Sequence, residues 1–234
     1  MKYKGIDIKI DIDETDGESP RNWSNLGYFI TCDRDYWSPD RIDWLEKIVK
    51  DTGDEATSQA DHIERITNAV NETGEKVLAV YPVVKYEHSG IVYRLGTQHG
   101  FDYSNNGFYI VTEKTAKELG TDPKDFEKMI KDEIETYNHY VNGEIYGFTL
   151  IDEITGEEIG SCWGYYGSDH EKSGLMETAK SEIDYYIKHS KAKAHAEYKA
   201  KQMTNTTLGE LLGNSNETIK RNAMSILKIL QKNK

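Results

Sequence analysis

The chain has 234 residues, 37% of them apolar and 30% charged, with a formal charge of −12. That length suits one sizeable domain with an appendage, and the absence of any long apolar run excludes a membrane-spanning helix. Sixteen Tyr and four Trp offset the low apolar fraction, so a folded protein with an aromatic core is expected, not a disordered chain.

The charge is unevenly spread. Residues 188–234 carry ten Lys or Arg against three Asp or Glu, a net of +7, which leaves −19 on residues 1–187. This predicts an acidic α+β domain over 1–187 and a basic helical tail over 188–234. An acidic body repels nucleic acid, so direct nucleic-acid binding is expected only through the tail. The start turns acidic at once and has no apolar leader core, and Cys32 and Cys162 are the only cysteines. Both features predict a cytoplasmic protein with reduced thiols.

Residues 5–13, GIDIKIDID, alternate Ile with charged groups and read as a half-buried strand. Residues 14–20 are a turn cluster, and 26–31 form a second strand. Ser38-Pro39-Asp40 predicts a helix start with Ser38 as cap, followed by Ile42, Leu45, Ile48 and Val49 on one face. A polar loop over 51–59 precedes a helix over 60–70. Residues 76–86 read as a strand in which Pro82 implies an edge or a bulge. A turn at Ser89-Gly90 leads to a strand over 91–95, and residues 108–112 form another. Thr112 opens a short helix to Leu119, and Thr121-Asp122-Pro123 caps a longer one that ends at Asn142-Gly143.

Strands over 144–152 and 157–166 follow, in which Gly147, Gly160 and Gly164 imply bends or the close approach of another group. A helix is expected from about 173 toward 198, then a final amphipathic helix with Ile219, Ile226 and Leu230 on its apolar face. Those three residues make a self-association surface possible. This order lacks βαβ alternation, so the expected fold class is α+β with a mainly antiparallel sheet, helices packed on it, and a C-terminal helical appendage.

Six landmarks follow one another: Glu18-Ser19-Pro20-Arg21 with Trp23 and Asn25-Leu26-Gly27; Tyr86-Glu87-His88-Ser89-Gly90-Ile91; Gly107-Phe108-Tyr109-Ile110-Val111; Glu135 to Tyr140; Gly143 to Phe148; and Ser161-Cys162-Trp163-Gly164-Tyr165-Tyr166-Gly167. In this order the chain resembles a family of phage and mobile-element accessory proteins, over roughly residues 5 to 170. Members tend to carry Pro-Trp-Asp-Ser-Gly where this chain has residues 101–106, and an acid where it has Gly160. The resemblance implies an accessory role in the contest with a bacterial host and brings no catalytic residues with it.

The chemistry-bearing groups are sparse. No HExxH, paired CxxC or phosphate-loop pattern occurs, and His88, His99 and Asp102 are the one trio that a hairpin could gather around a metal. No metal and no cofactor is expected. Cys162 with His88 or His139 is the conceivable nucleophile and base, although a small buried thiol in a strand is the ordinary reading. Asp33 and Asp35 flank Arg34 and could hold Mg²⁺, or close a strand with a salt bridge. Asp33, Asp35, Tyr86, His88, Tyr146, Trp163 and Tyr165 are the residues for a possible nucleotide or signal pocket. The acids Asp11, Asp13, Glu14, Asp16 and Glu18, with Asp152, Glu153, Glu157 and Glu158, are the candidate recognition surface. The leading expectation is a non-enzymatic inhibitor of a host defence protein, of anti-CRISPR or anti-restriction type. It would bind a nucleic-acid-handling effector by imitating phosphate charge.

Overall fold

The computed structural model describes residues 1–15, 17–33 and 35–190. The expected tail helices, with Ile219, Ile226 and Leu230, lie outside the described residues. The fold is α+β, with antiparallel strands in two four-stranded sheets of order β1-β2-β7-β8 and β3-β6-β4-β5. The chain divides into two compact units. Among the described residues one comprises Met1–Ile8, Leu150–Gly160 and 177–190, the other Lys9–Thr149 and Ser161–Met176. The strands of the first sheet are β1 (Lys2–Tyr3), β2 (Ile6–Ile12), β7 (Ile145–Asp152) and β8 (Glu158–Tyr166). Residues 175–190 form a helix, α5, which runs through the 187/188 boundary drawn from the charge. Among the described residues no helix is long and apolar enough to cross a membrane.

The larger unit is built on the second sheet: β3 (Tyr28–Thr31), β4 (Val77–Glu87), β5 (Ile91–Leu95) and β6 (Tyr103–Thr112). Successive side chains of a strand point to opposite faces, and here both faces are apolar. Phe29, Tyr109 and Val111 pack with Phe126, Ile130, Ile134 and Tyr137, most of them from α4 (Phe126–Val141). Ile30, Phe108 and Ile110 pack on the other side with Leu45 and Val49 of α1 (Asp43–Glu55) and Ile66 and Val70 of α2 (Gln59–Glu72). The sheet is therefore sandwiched, and residues 108–111 of β6 are fully buried. The short helix α3 (Glu113–Leu119) follows β6 directly, held by a capping box between Thr112 and Thr115.

Three local expectations are revised. The helix after Ser38 starts at Asp43, because Ser38 and Asp40 are engaged elsewhere: Ser38 Oγ accepts from Thr31 N at 3.1 Å and Asp40 Oδ2 from Phe29 N at 2.6 Å. These bonds stitch 38–40 alongside β3 in place of a helical turn. The strand β6 begins at Tyr103 instead of 108, and its polar start is held by side-chain bonds, Asn105 to Gln98 and Asn106 to the Cys32 carbonyl. Pro82 lies in β4, which is interior to the sheet and not at its edge, while the alternative, a bulge, is met next to it, where the β4–β6 register shifts between Val83 and Lys85. Its carbonyl accepts from Gly96 N just past the end of β5, so the side where an N–H would point has no strand left to pair with.

The exposed edge of that sheet is β5, and α4 covers it with two amides one turn apart. Asn138 bonds both N and O of Tyr93 (2.8 and 2.9 Å), and Asn142 does the same for Ile91 (3.0 and 2.7 Å). Backbone groups that would otherwise template another strand are thus satisfied within the chain.

The segment before β3 is fixed by Arg21, whose side chain is only 3% exposed. All five of its N–H donors are used: Nε and Nη2 on Asp40 (2.9 and 2.7 Å), Nη2 also on the Gly27 carbonyl (2.7 Å), and Nη1 on Asn25 Oδ1 and Glu133 Oε2 (both 3.0 Å). Glu133 in turn accepts from Leu26 N at 2.8 Å and from the Tyr109 hydroxyl. Burial works against the charge on Arg21, but the bonds and charge of Asp40 outweigh it and hold the guanidinium above its ordinary pKa. Replacing Arg21 with Leu strands two carboxylates, at a cost of about 3–5 kcal/mol and a melting temperature lower by roughly 10 °C. Arg21→Lys keeps the charge but loses the fork, and falls in between. Thermal denaturation followed by circular dichroism reads both.

Candidate functional site: an aromatic cleft rimmed by carboxylates

The loop held by Arg21 presents Trp23. Asn25 Nδ2 donates to the Trp23 carbonyl at 2.7 Å and to the Pro20 carbonyl at 3.1 Å, which pins the backbone on either side. The Trp23 ring stands edge-on to Tyr166, with centroids 5.3 Å apart and planes at 85°. The Tyr166 hydroxyl donates to the Glu18 carbonyl, tying β8 to the same loop. Trp23 is nonetheless 47% exposed.

Trp163 is the second exposed ring, at 46%. A Cβ built on Gly147 would lie 2.2 Å from its Cε3, so the indole lies directly over the bare backbone of β7. Gly147 is the place where another group approaches, and the group is Trp163. Strict alternation along β8 would put residues 163 and 166 on opposite faces. Gly164 takes φ +90°, open to glycine, and breaks that alternation, so both rings line one cleft. The cleft encloses about 560 Å³ between Asp13, Thr15, Gly17, Glu18, Trp23, Trp163, Gly164 and Tyr166. None of these is basic.

A second cleft of about 700 Å³ shares Trp23, Gly164 and Tyr166 and reaches Asp132, Glu135, His139, Asp169 and Lys172. Lys172 is paired with Glu135 at 2.6 Å, and His139 Nδ1 with Glu144 at 2.6 Å.

The acidic residues picked from the sequence fall in two places. Asp11, Asp13, Glu14 and Glu18 belong to the larger unit, whereas Asp152, Glu153, Glu157 and Glu158 belong to the smaller one. Asp16 lies outside the described residues. Asp13 Oδ1 accepts from Thr15 N and Oγ1, and Asp152 Oδ1 accepts from Ile154 N and Thr155 N, so both also shape turns. Glu153 pairs with Lys2. Asp11, Glu14, Glu18, Glu157 and Glu158 are exposed, with no ion pair among the described residues.

The seven residues named for a pocket are distributed over separate places. Tyr86 stacks with His88 (6.5 Å) and packs on Tyr103 (5.0 Å), and His88 faces Asp102 at 3.7 Å. Tyr146 lies edge-on to His170, and Tyr165 against Phe148. Trp163 lines the cleft described above. Asp33 and Asp35 line a different cavity, of about 1200 Å³, with Cys32, Glu46, Asp51, Asp54 and His62. There Asp33 is bound to Lys85 at 2.9 Å, and Lys85 also meets Glu87 at 2.8 Å over the ring of Tyr36. The Lys85 bond, then the Tyr36 hydroxyl, hold the Glu87 carboxyl below its usual range. Among the described residues no group of His, Cys, Asp and Glu is arranged to hold a metal. Cys162 Sγ accepts from the Tyr165 hydroxyl at 3.4 Å, and the nearest partner of His139 is Glu144, so the imagined Cys-His pair is not assembled.

The chain matches no protein-family model, and comparison with curated proteins and with solved structures returns no match.

Trp23 is the cleft residue that the sequence left unassigned. The signal available was its place inside the Arg21 landmark, where a large ring follows a helix-capping turn.

Burial, then the nearby Glu46, pushes the Cys32 thiol up to about 11. The thiolate is the nucleophile, so Cys32 should alkylate with iodoacetamide far more slowly at pH 8 than free cysteine, and speed up toward pH 11. Because the folded pKa lies above the ordinary 9.0, the associated stability is complete below about pH 9 and lost as pH rises to about 11. Mass-spectrometric labelling and alkaline melts check the two halves. Separately, Gly147→Ala should dislodge Trp163 and cost about 1–3 kcal/mol, with a shift in its fluorescence.

Proposed function

We propose that the protein acts by binding, as a cytoplasmic accessory protein of a phage or mobile element that inhibits a host defence system. Its target is a basic partner, a nucleic-acid-handling effector of the CRISPR or restriction type. The observation that carries this reading is the cleft of Trp23, Trp163 and Tyr166, which exposes two indoles beside Asp13 and Glu18 and, among the described residues, has no basic group. Exposed aromatic groups set in a polar rim are how protein interfaces concentrate binding energy. The surplus of negative charge over residues 1–187 draws a positively lined groove toward them. The biological setting is the one implied by the resemblance of the six landmarks to those of phage accessory proteins.

A second reading is a nucleotide- or signal-binding protein. It is favoured by a polar cavity of about 850 Å³ beside Arg21, at whose mouth Arg41 lies 4.6 Å over the ring of the exposed Trp37. A guanidinium stacked on indole is a platform on which a base can lie. The enzymatic version is weakened by the engagement of Asp33 with Lys85 and of Cys162 Sγ with the Tyr165 hydroxyl.

Pull-down with candidate effectors at low and moderate salt is the direct test. Under the first reading an effector is retained, the retention weakens as salt rises, and neutralising Asp11, Asp13, Glu14 and Glu18 to amides reduces it at least several-fold. Retention of no effector, together with unchanged phage plating on defended hosts, rejects it. A melting temperature raised by a nucleotide would favour the second reading.

A further inference from the structure

We infer that the cleft between Trp23, Trp163 and Tyr166 is a receptor for a guanidinium group, the side chain of an arginine on the bound partner. The inference rests on the reading of the protein as a binder of basic partners and names the chemistry of the contact.

The rings are prepared in advance. Trp163 is seated on Gly147, Trp23 is carried by the loop that Arg21 locks, and Tyr166 is tied to the Glu18 carbonyl. An incoming group therefore meets surfaces whose side-chain freedom has already been lost, which lowers the cost of binding. Trp23 and Trp163 each remain nearly half exposed, and an indole left open to solvent can offer its negative π-face to a cation.

The rim chooses the sign of the ligand. Asp13 and Glu18 line the cleft and among the described residues no Lys, Arg or His does, while a second cleft continues past Trp23 to Asp132 and Asp169, where Lys172 and His139 are engaged by Glu135 and Glu144. Both bonds that Asp13 makes in its turn use Oδ1, and among the described residues none is made by Oδ2. A phosphate-bearing ligand would meet two carboxylates at the entrance, so a nucleotide is disfavoured here even though its base could stack.

The shape of the group then separates arginine from lysine. Guanidinium is planar and weakly hydrated, so it can lie on an indole while its in-plane N–H groups reach carboxylates at the edge. An ammonium keeps more of its water and cannot cover the ring. The volume of about 560 Å³ accommodates the side chain with the backbone that carries it.

The test uses Nα-acetyl-arginine amide as probe, with Nα-acetyl-citrulline amide as its uncharged isostere and Nα-acetyl-lysine amide as the ammonium control. Indole N–H resonances of the full chain are followed by NMR. The arginine probe is expected to shift the Trp23 and Trp163 signals in the millimolar range, lysine more weakly, and citrulline not at all. Trp163→Ala should weaken arginine binding by about tenfold. The double variant Asp13→Asn with Glu18→Gln, which leaves all rings in place, should weaken it several-fold and flatten its salt dependence. Equal shifts from citrulline and arginine, unmoved indole signals, or undiminished binding in both variants would overturn the inference. Effector pull-down separates this from the wider reading. An effector held equally well by the wild type and by folded Trp163→Ala sinks the guanidinium receptor alone. An arginine shift with no effector retained sinks the inhibitor reading alone.

Discussion

Arg21 is the constraint on which the rest of the larger unit depends. A buried guanidinium is tolerated only when its charge and all its donors are matched, and here the four matching groups come from three separate stretches: Asn25 and Gly27 on its own loop, Asp40 after β3, and Glu133 on α4. The network therefore sets where the loop, the strand and the helix stop relative to one another. A hydrophobic plug of the same volume would fill the space but would not dictate these positions. Trp23 inherits its placement from that network, and the cleft inherits its first wall from Trp23.

Much of the architecture was legible from periodicity. The alternation of Ile6 to Ile12 and the 3.6-residue repeat of Phe126, Ile130, Ile134 and Tyr137 each correspond to an observed element. The features that escaped are those in which a polar side chain serves a partner outside its own element, from seven to seventy-four residues away. Ser38-Pro39-Asp40 has the composition of a helix start, yet its side chains bond β3 instead. Ser104-Asn105-Asn106 has the composition of a turn, yet continues β6, because bonds to Gln98 and Cys32 compensate for its poor strand propensity. Local preference says nothing of a contact seventy residues away.

The cleft shows the same division. Gly147 and Gly164 were readable as openings in the sheet, and Trp163 as an aromatic group nearby. That the indole fills the opening left by Gly147, and that Gly164 turns Trp163 and Tyr166 to one side, depends on register and on a left-handed φ that residue types alone do not encode. Nor does charge counting distinguish acids that build the fold from acids that face outward. Asp40 and Glu133 hold Arg21 and Asp33 holds Lys85, whereas Glu14 and Glu18 are left at the surface.

Among the described residues the smaller unit gathers Met1–Ile8, the β7–β8 turn at Leu150–Gly160, and 177–190, while the larger is nearly one continuous run. A ribosome delivers these pieces far apart in time. At about 5–20 residues per second, the first eight residues wait roughly 7–30 seconds for residues 150–160 to emerge. Assembly during translation thus has a built-in order: the sandwiched sheet can consolidate while the nascent chain is still attached, and the amino-terminal hairpin is the last of the early-made segments to find its neighbours.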